Sequence, residues 1–243
     1  LFIMRFVGSP FTFSFQQVGT NCGLIGKNAA VEVDGSAYWM SENGFFRYTG
    51  RLESLPCLVE DYVYDDINTV NKNHIYAGLN NLFGEVTWFY PGSGAASNNR
   101  SVTYNYMDSS PQRAVWTTSS LARSTWADSH IFGKPHATEY DSDSTSDSTV
   151  GNTDGCTTYY EHETGNNQIK AGASTAITAN IQSGDFDLGV QGNLQGDTNA
   201  GEVMMKIRRV LPDFLTQTGG TRVTLNLKNY PTDSEASSSL GPF

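Results

Sequence analysis

Positive charge is scarce in this chain. Its 243 residues hold 15 Lys+Arg against 25 Asp+Glu, for a formal charge of −10. A surface so poor in Lys and Arg excludes gripping nucleic acid by neutralising its phosphates, although a wall past which nucleic acid slides without sticking stays open. Long apolar runs are absent too: no stretch approaches 18 consecutive apolar residues, so no helix written in this sequence spans a membrane. The segment Leu1 to Val7 has neither a basic leader nor a cleavage site, which excludes a signal peptide there. Cysteine is rare and unpatterned. Cys22, Cys57 and Cys156 make neither a metal motif nor a disulfide framework, and point to a reduced intracellular setting. The start at Leu1 and the stop at Gly241-Pro242-Phe243 read as a piece of a longer polypeptide.

What is present favours strands. Aromatics make up 12% of the chain and glycine 24 residues, alongside many Thr and Asn, a composition of strands and turns. With 38% apolar and only 16% charged residues the chain is no disordered tail, and its length suits one large all-β domain or two smaller ones. Between Asn28 and Cys57, turn signals at Asp34-Gly35, Asn43-Gly44 and Thr49-Gly50 separate four short apolar runs. Three hairpins so close together predict a four-stranded antiparallel meander, the construction of a propeller blade. A second meander is predicted from His74–Leu79, Glu85–Tyr90, Arg100–Met107 and Arg113–Thr117. In it Val86, Trp88 and Tyr90 share one face, as do Val102, Tyr104 and Tyr106. Leu58–Thr69 between the meanders reads as a short helical insert, and no amphipathic helix of normal length follows it.

The expected fold class is therefore all-β: part of a β-propeller over residues 1–138, an acidic Ser/Asp-rich loop or linker over 139–156, and a β-sandwich-like unit over 157–243. In that last part the predicted strands are 157–163, 176–182, 203–210 and 222–228.

Chemistry-bearing patterns are few. Gly92-Ser93-Gly94 lacks the third glycine and following helix of a phosphate loop. His74, His130, His136 and His162 are scattered; Glu161-His162-Glu163 on a strand would put both carboxylates on one side and the imidazole on the other, poor geometry for a triad. Asp141, Asp143 and Asp147 lack the central glycine and closing glutamate of a calcium loop and read as a solvated acidic loop. Ser41-Glu42-Asn43-Gly44 falls one residue short of a glycosidase blade-turn motif and lacks its Trp. Trp39, Trp88, Trp116 and Trp126 could stack on sugars, but strand contexts favour the core. Lys206, Arg208 and Arg209, the one basic cluster, suit an outer sheet face or an acidic neighbouring subunit. The expectation is no enzyme, with no catalytic, cofactor or metal residues.

The order of features resembles a family. The Gly23–Cys57 meander with Tyr38-Trp39-Met40 and Gly44-Phe45-Phe46 comes first, then the insert Val59-Glu60-Asp61-Tyr62-Val63. Glu85-Val86-Thr87-Trp88-Phe89-Tyr90-Pro91, Val102-Thr103-Tyr104-Asn105-Tyr106 and Trp116-Thr117-Thr118 follow. Together they are similar to the later propeller blades of the tail hub or nozzle proteins of short-tailed phages, also called packaged-DNA stabilisation proteins or tail tubular protein B. Ile177–Asp187 and Met204-Met205-Lys206-Ile207-Arg208-Arg209 resemble the β region after that propeller. The resemblance implies a virion component, assembled in the host cytoplasm, that forms a homo-oligomeric ring, usually of six copies, below portal and adaptor. Its channel holds and later passes the genome without binding it specifically. The family's early blades and its end are missing here. Two other readings come from different classes: a carbohydrate-binding or hydrolysing propeller or sandwich serving as a receptor-binding tail protein, and a secreted bacterial surface protein.

Overall fold

The computed structural model describes residues 1–110, 113–129, 131–141, 156–170, 173–177, 179–182, 206–211, 213, 220–230 and 238–242. The described chain is mostly strand, arranged in antiparallel sheets, none of which closes on itself. It forms two compact units, Leu1–Ile177 and Thr178–Phe243.

The first unit opens with a two-stranded ribbon that the sequence reading did not anticipate, β1 (Phe2–Phe6) paired with β2 (Phe13–Gln17). The first predicted meander follows as a four-stranded sheet in the order β3-β4-β5-β6: β3 (Ala30–Val33), β4 (Ser36–Ser41), β5 (Gly44–Tyr48) and β6 (Leu52–Leu55). Asp34 and Gly35 sit at φ +48° and +77°, the two positive angles that a two-residue hairpin of this hand demands. The predicted insert is a seven-residue helix, α1 (Glu60–Asp66), and a 3-10 turn over Thr69–His74 capped by the Asn68 side chain. The second meander contains β7 (Tyr76–Asn80), β8 (Glu85–Tyr90), β9 (Arg100–Ser110) and β10 (Arg113–Ser119), again with neighbours in chain order.

A third sheet contains β11 (Thr125–Ala127), β12 (His136–Asp141) and β13 (Cys156–Glu161). Strands β12 and β13 run in register from His136 opposite Glu161 to Asp141 opposite Cys156. The acidic run therefore joins two paired strands of one sheet, and the compact units part later, after Ile177. A ribbon of β14 (Asn167–Lys170) and β15 (Ala173–Ala176) completes the first unit; the second contains the pair β16 (Leu225–Leu227) and β17 (Ser238–Leu240). Of the strands predicted here, 157–163 matches β13 and 222–228 shrinks to β16. Ala176 is the last residue of β15, residues 177, 179–182 and 206–210 are not strand, and 178 and 203–205 lie outside the described residues. Period-two alternation is necessary for a half-buried strand but not sufficient, because a strand also needs a neighbour to pair with. Ile177 and Ile181 stay exposed.

The core lies between the first two sheets. Tyr38 and Met40 of β4, Phe45 of β5 and Leu55 of β6 meet Val86, Trp88 and Tyr90 of β8 and Val102 and Tyr104 of β9, with Val63 of α1 closing one end. The phase predicted for β8 and β9 is the observed one. Strand β8 is also covered on its other side: Phe89 stacks on Trp126 of β11 at 5.5 Å, so Trp88, Phe89 and Tyr90 are all fully buried. The three sheets thus stack face on face in chain order. Their first strands are neighbours, with β7 lying beside β3 and beside β11, and the Ala77 amide donating to the Asn28 carbonyl at 2.8 Å.

Gly78 marks the closest approach of the second and third sheets. A Cβ there would lie 2.6 Å from Trp126 Cγ and 2.8 Å from its Cδ1. The indole cannot withdraw freely, because its N–H donates to the Leu79 carbonyl at 2.7 Å. Gly78→Ala is expected to cost about 1–3 kcal/mol of overpacking, read as a lower urea midpoint with an unchanged denaturant slope.

Candidate functional site

The tryptophans are structural ties and not open platforms. Each indole N–H donates to a backbone carbonyl: Trp39 to Cys22 at 2.8 Å, Trp88 to Ala29 at 3.0 Å, Trp116 to Pro56 at 2.8 Å and Trp126 to Leu79 at 2.7 Å. Trp88 and Trp116 tie the second sheet to segments flanking the first, and Trp126 ties the third sheet to the second. Trp39 and Trp88 are buried and require such an acceptor, while Trp116 and Trp126 are half-buried, and each bond joins two elements.

The loops that resembled binding motifs are occupied by the protein itself. In Gly92-Ser93-Gly94 the Ser93 amide points at the Asp66 carboxylate (3.3 Å), the Gly92 amide donates to Asn99 Oδ1 (2.8 Å), and Arg100 Nε pairs with Asp66 at 3.2 Å. A loop whose amide already faces a carboxylate is not a phosphate cradle. The Ser41–Gly44 hairpin is held by the Tyr64 hydroxyl of α1, which donates to the Ser41 carbonyl at 2.6 Å and lies 3.2 Å from that of Gly44. Glu42 pairs with Lys72. Cys57 is half-buried, and burial pushes its thiol up to about 12, so it is protonated and unreactive near neutral pH.

Among the described residues one cluster of charged groups is buried, and it lies against the third sheet. Arg123, only 5% exposed, donates through Nε to His162 Nε2 at 2.9 Å, places Nη1 3.5 Å from Glu139 Oε2, and lies with Cζ 4.0 Å above the Tyr160 ring. The Tyr160 hydroxyl donates to the same Glu139 oxygen at 2.8 Å. His162 is held from behind: its amide donates to the Pro135 carbonyl at 2.8 Å, and its ring packs 4.6 Å from that of Trp126. Asn98 reaches in from the second sheet's long loop and bonds the carbonyls of Arg123 (3.0 Å) and His74 (2.7 Å).

In this arrangement His162 Nε2 accepts, so the imidazole is neutral and its lone pair is engaged by a cation. Burial lowers its pKa to about 4, with Arg123 and then His136 adding to the shift. A histidine so placed neither shuttles protons at neutral pH nor serves as a base. Its chemical consequence is pH-dependent stability. The folded pKa lies below the ordinary value of about 6.5, so acidification through that value protonates the unfolded chain first. Stability is therefore lost between roughly pH 6.5 and pH 4, by on the order of 1–2 kcal/mol once solvent screening is allowed for. Glu85, raised by burial and by Glu163 and Asp108, works in the opposite sense. The His162 contribution is isolated by subtracting the curve of His162→Gln, which still accepts from Arg123 but does not titrate. The difference between urea midpoints is expected to open only below about pH 6.5.

The remaining candidates scatter. His74 is exposed with Nδ1 2.9 Å from the Ala96 carbonyl, and His136 stacks on Tyr159. His130, Asp143 and Asp147 lie outside the described residues, and Asp141 ends β12. The predicted alternation of Glu161, His162 and Glu163 breaks because the strand ends at Glu161. Glu163 turns to φ +56° and accepts from Asn80 Nδ2 at 3.1 Å, while Glu161 lies 3.7 Å from Lys134. Lys206, Arg208 and Arg209 are exposed and outside any strand, so the face predicted for them does not exist there. Among the described residues no three His, Cys, Asp or Glu side chains have the geometry to hold a metal. Sequence reasoning missed Arg123, since Leu121-Ala122-Arg123-Ser124 carries no local signal and its partners arrive on later strands.

No family model matches the chain, and no curated protein matches it either.

Proposed function

We propose that this chain is a structural subunit of a phage virion: a tail hub or nozzle protein of the short-tailed kind, with a β-propeller whose copies form a ring around the channel that retains and passes the genome. The observation that carries the reading is the stacking of three sheets face on face in chain order with β3, β7 and β11 side by side. Successive meanders related by rotation about an axis place their first strands together in this way, whereas two sheets of a sandwich do not. The strand-by-strand resemblance set out above supports the same assignment. So does the charge of −10, since each Lys or Arg lining such a channel would add a salt-dependent trap for phosphate.

The sugar-binding alternative loses its main motivation, because all four indoles are committed to internal carbonyls. Locating the chain in purified particles with a labelled antibody tests the proposal. Label on the tail axis is the expected result; label at fibres or on the capsid, or none on particles, would overturn it.

A further inference from the structure

The ribbon at the start of the chain presents an apolar face that nothing described covers. In the observed register Phe2, Met4 and Phe6 of β1 share a face with Phe13, Phe15 and Gln17 of β2, and Ile3, Arg5, Ser14 and Gln16 share the other. The five apolar residues of the first face are 64, 58, 73, 49 and 69% exposed. At about 200 Å² for each large residue they leave roughly 600 Å² of contiguous apolar surface, the upper end of what a monomer carries. Val7 and Phe11 at the ribbon's tip are exposed as well. The ribbon is not a loose end. The Leu1 amino group donates to the Gly19 carbonyl at 2.8 Å, the Val18 amide donates to the Leu1 carbonyl at 3.0 Å, and Gly19 packs against Leu52 of the first sheet.

We infer that a second copy of this chain covers the face. The area decides first: two such faces buried together reach about 1,200 Å², the lower bound of a specific protein interface. The chemistry decides next. The face carries no charge, and the one charged side chain of the ribbon, Arg5, projects from the opposite side, so an apolar surface identical to it is a complementary partner. Lipid is a poorer occupant, because both outer edges of a two-stranded ribbon keep backbone groups that hydrocarbon cannot satisfy, while a protein edge can pair with them. The inference stands on the ribbon alone, whether or not the assembled copies surround a channel.

Sedimentation of the full chain over a range of concentrations, with hydrogen exchange read at Phe2–Gln17, tests it. Expected are species of two or more copies, with ribbon amides that exchange more slowly as concentration rises. Phe6→Ser combined with Phe15→Ser is expected to weaken association at least about a hundredfold. Near-UV circular dichroism from the buried indoles should stay unchanged in that variant, since these two rings touch none of them. Two copies joined ribbon against ribbon support the inference, whereas larger closed species in which the ribbon meets a different surface would overturn the pairing of identical faces. A wild-type monomer up to about 100 µM, association without ribbon protection, undiminished association of a correctly folded variant, or a monomer that instead pellets with phosphatidylcholine vesicles would each overturn it.

Discussion

Trp88→Ala is expected to remove most of the chain's margin of stability. The side chain is fully buried in the seam between the first and second sheets, with its ring 5.0 Å from Phe45 and 6.1 Å from Trp116. Truncation forfeits the buried area, opens a cavity between two aromatic walls, and strips the Ala29 carbonyl of its indole donor. Large-to-small changes at such sites cost about 3–5 kcal/mol, and whole domains hold only about 5–15 kcal/mol. The urea midpoint should fall to where the folded form is barely populated at room temperature. Trp126→Phe supplies the contrast. It keeps an aromatic ring against Phe89 and loses mainly the hydrogen bond to Leu79, a change worth about 1 kcal/mol. If the two substitutions cost the same, the first-to-second-sheet seam is not the principal core.

Arg123→Ala is expected to cost nearly as much, for a different reason. Its guanidinium is almost wholly buried and faces His162, Glu139 and the Tyr160 ring together. Removing one member of a buried pair costs about 3–5 kcal/mol because the charge left behind stays desolvated. Arg123→Met combined with Glu139→Gln removes both charges at similar volume, and should recover much of that loss. The exposed Arg51 beside Glu53 makes the comparison: Arg51→Ala should fall within about 0.5 kcal/mol of wild type, as surface pairs do. Thermal unfolding of the three variants ranks them. Equal destabilisation by Arg123→Ala and by the double variant would show that the cluster contributes packing and not charge.

How much of this was readable from sequence follows from how far each signal reaches. Asp34-Gly35 and the alternation of Val86, Trp88 and Tyr90 are local, and both meanders stand where those residues place them. That Phe89 is buried as well was not legible, because its cover, Trp126, arrives from a strand of a different sheet. The Arg123 cluster was invisible for the same reason, its partners being brought together only by the β12–β13 pairing. Segment 206–210 failed in the opposite direction: its alternation is strand-like, but a pattern cannot supply a neighbouring strand. The ribbon of β1 and β2 was missed because Phe2, Ile3 and Met4 form a continuous apolar run that hides the amphipathic register. At the motif-like loops, the residues that resembled ligand-binding patterns were the ones the fold uses on itself, as with the Ser93 amide facing Asp66.

The central claim is that these sheets are sectors of one radial array whose first strands face a common axis. An electron cryomicroscopy map of the tail in intact particles measures this directly. The account predicts a ring of copies on the tail axis, each with the three sheets fanned like blades and β3, β7 and β11 innermost in their fan. A map in which the same sheets form a flat stack with no further blades around them, or in which the chain stands off the axis as a single copy, would contradict it.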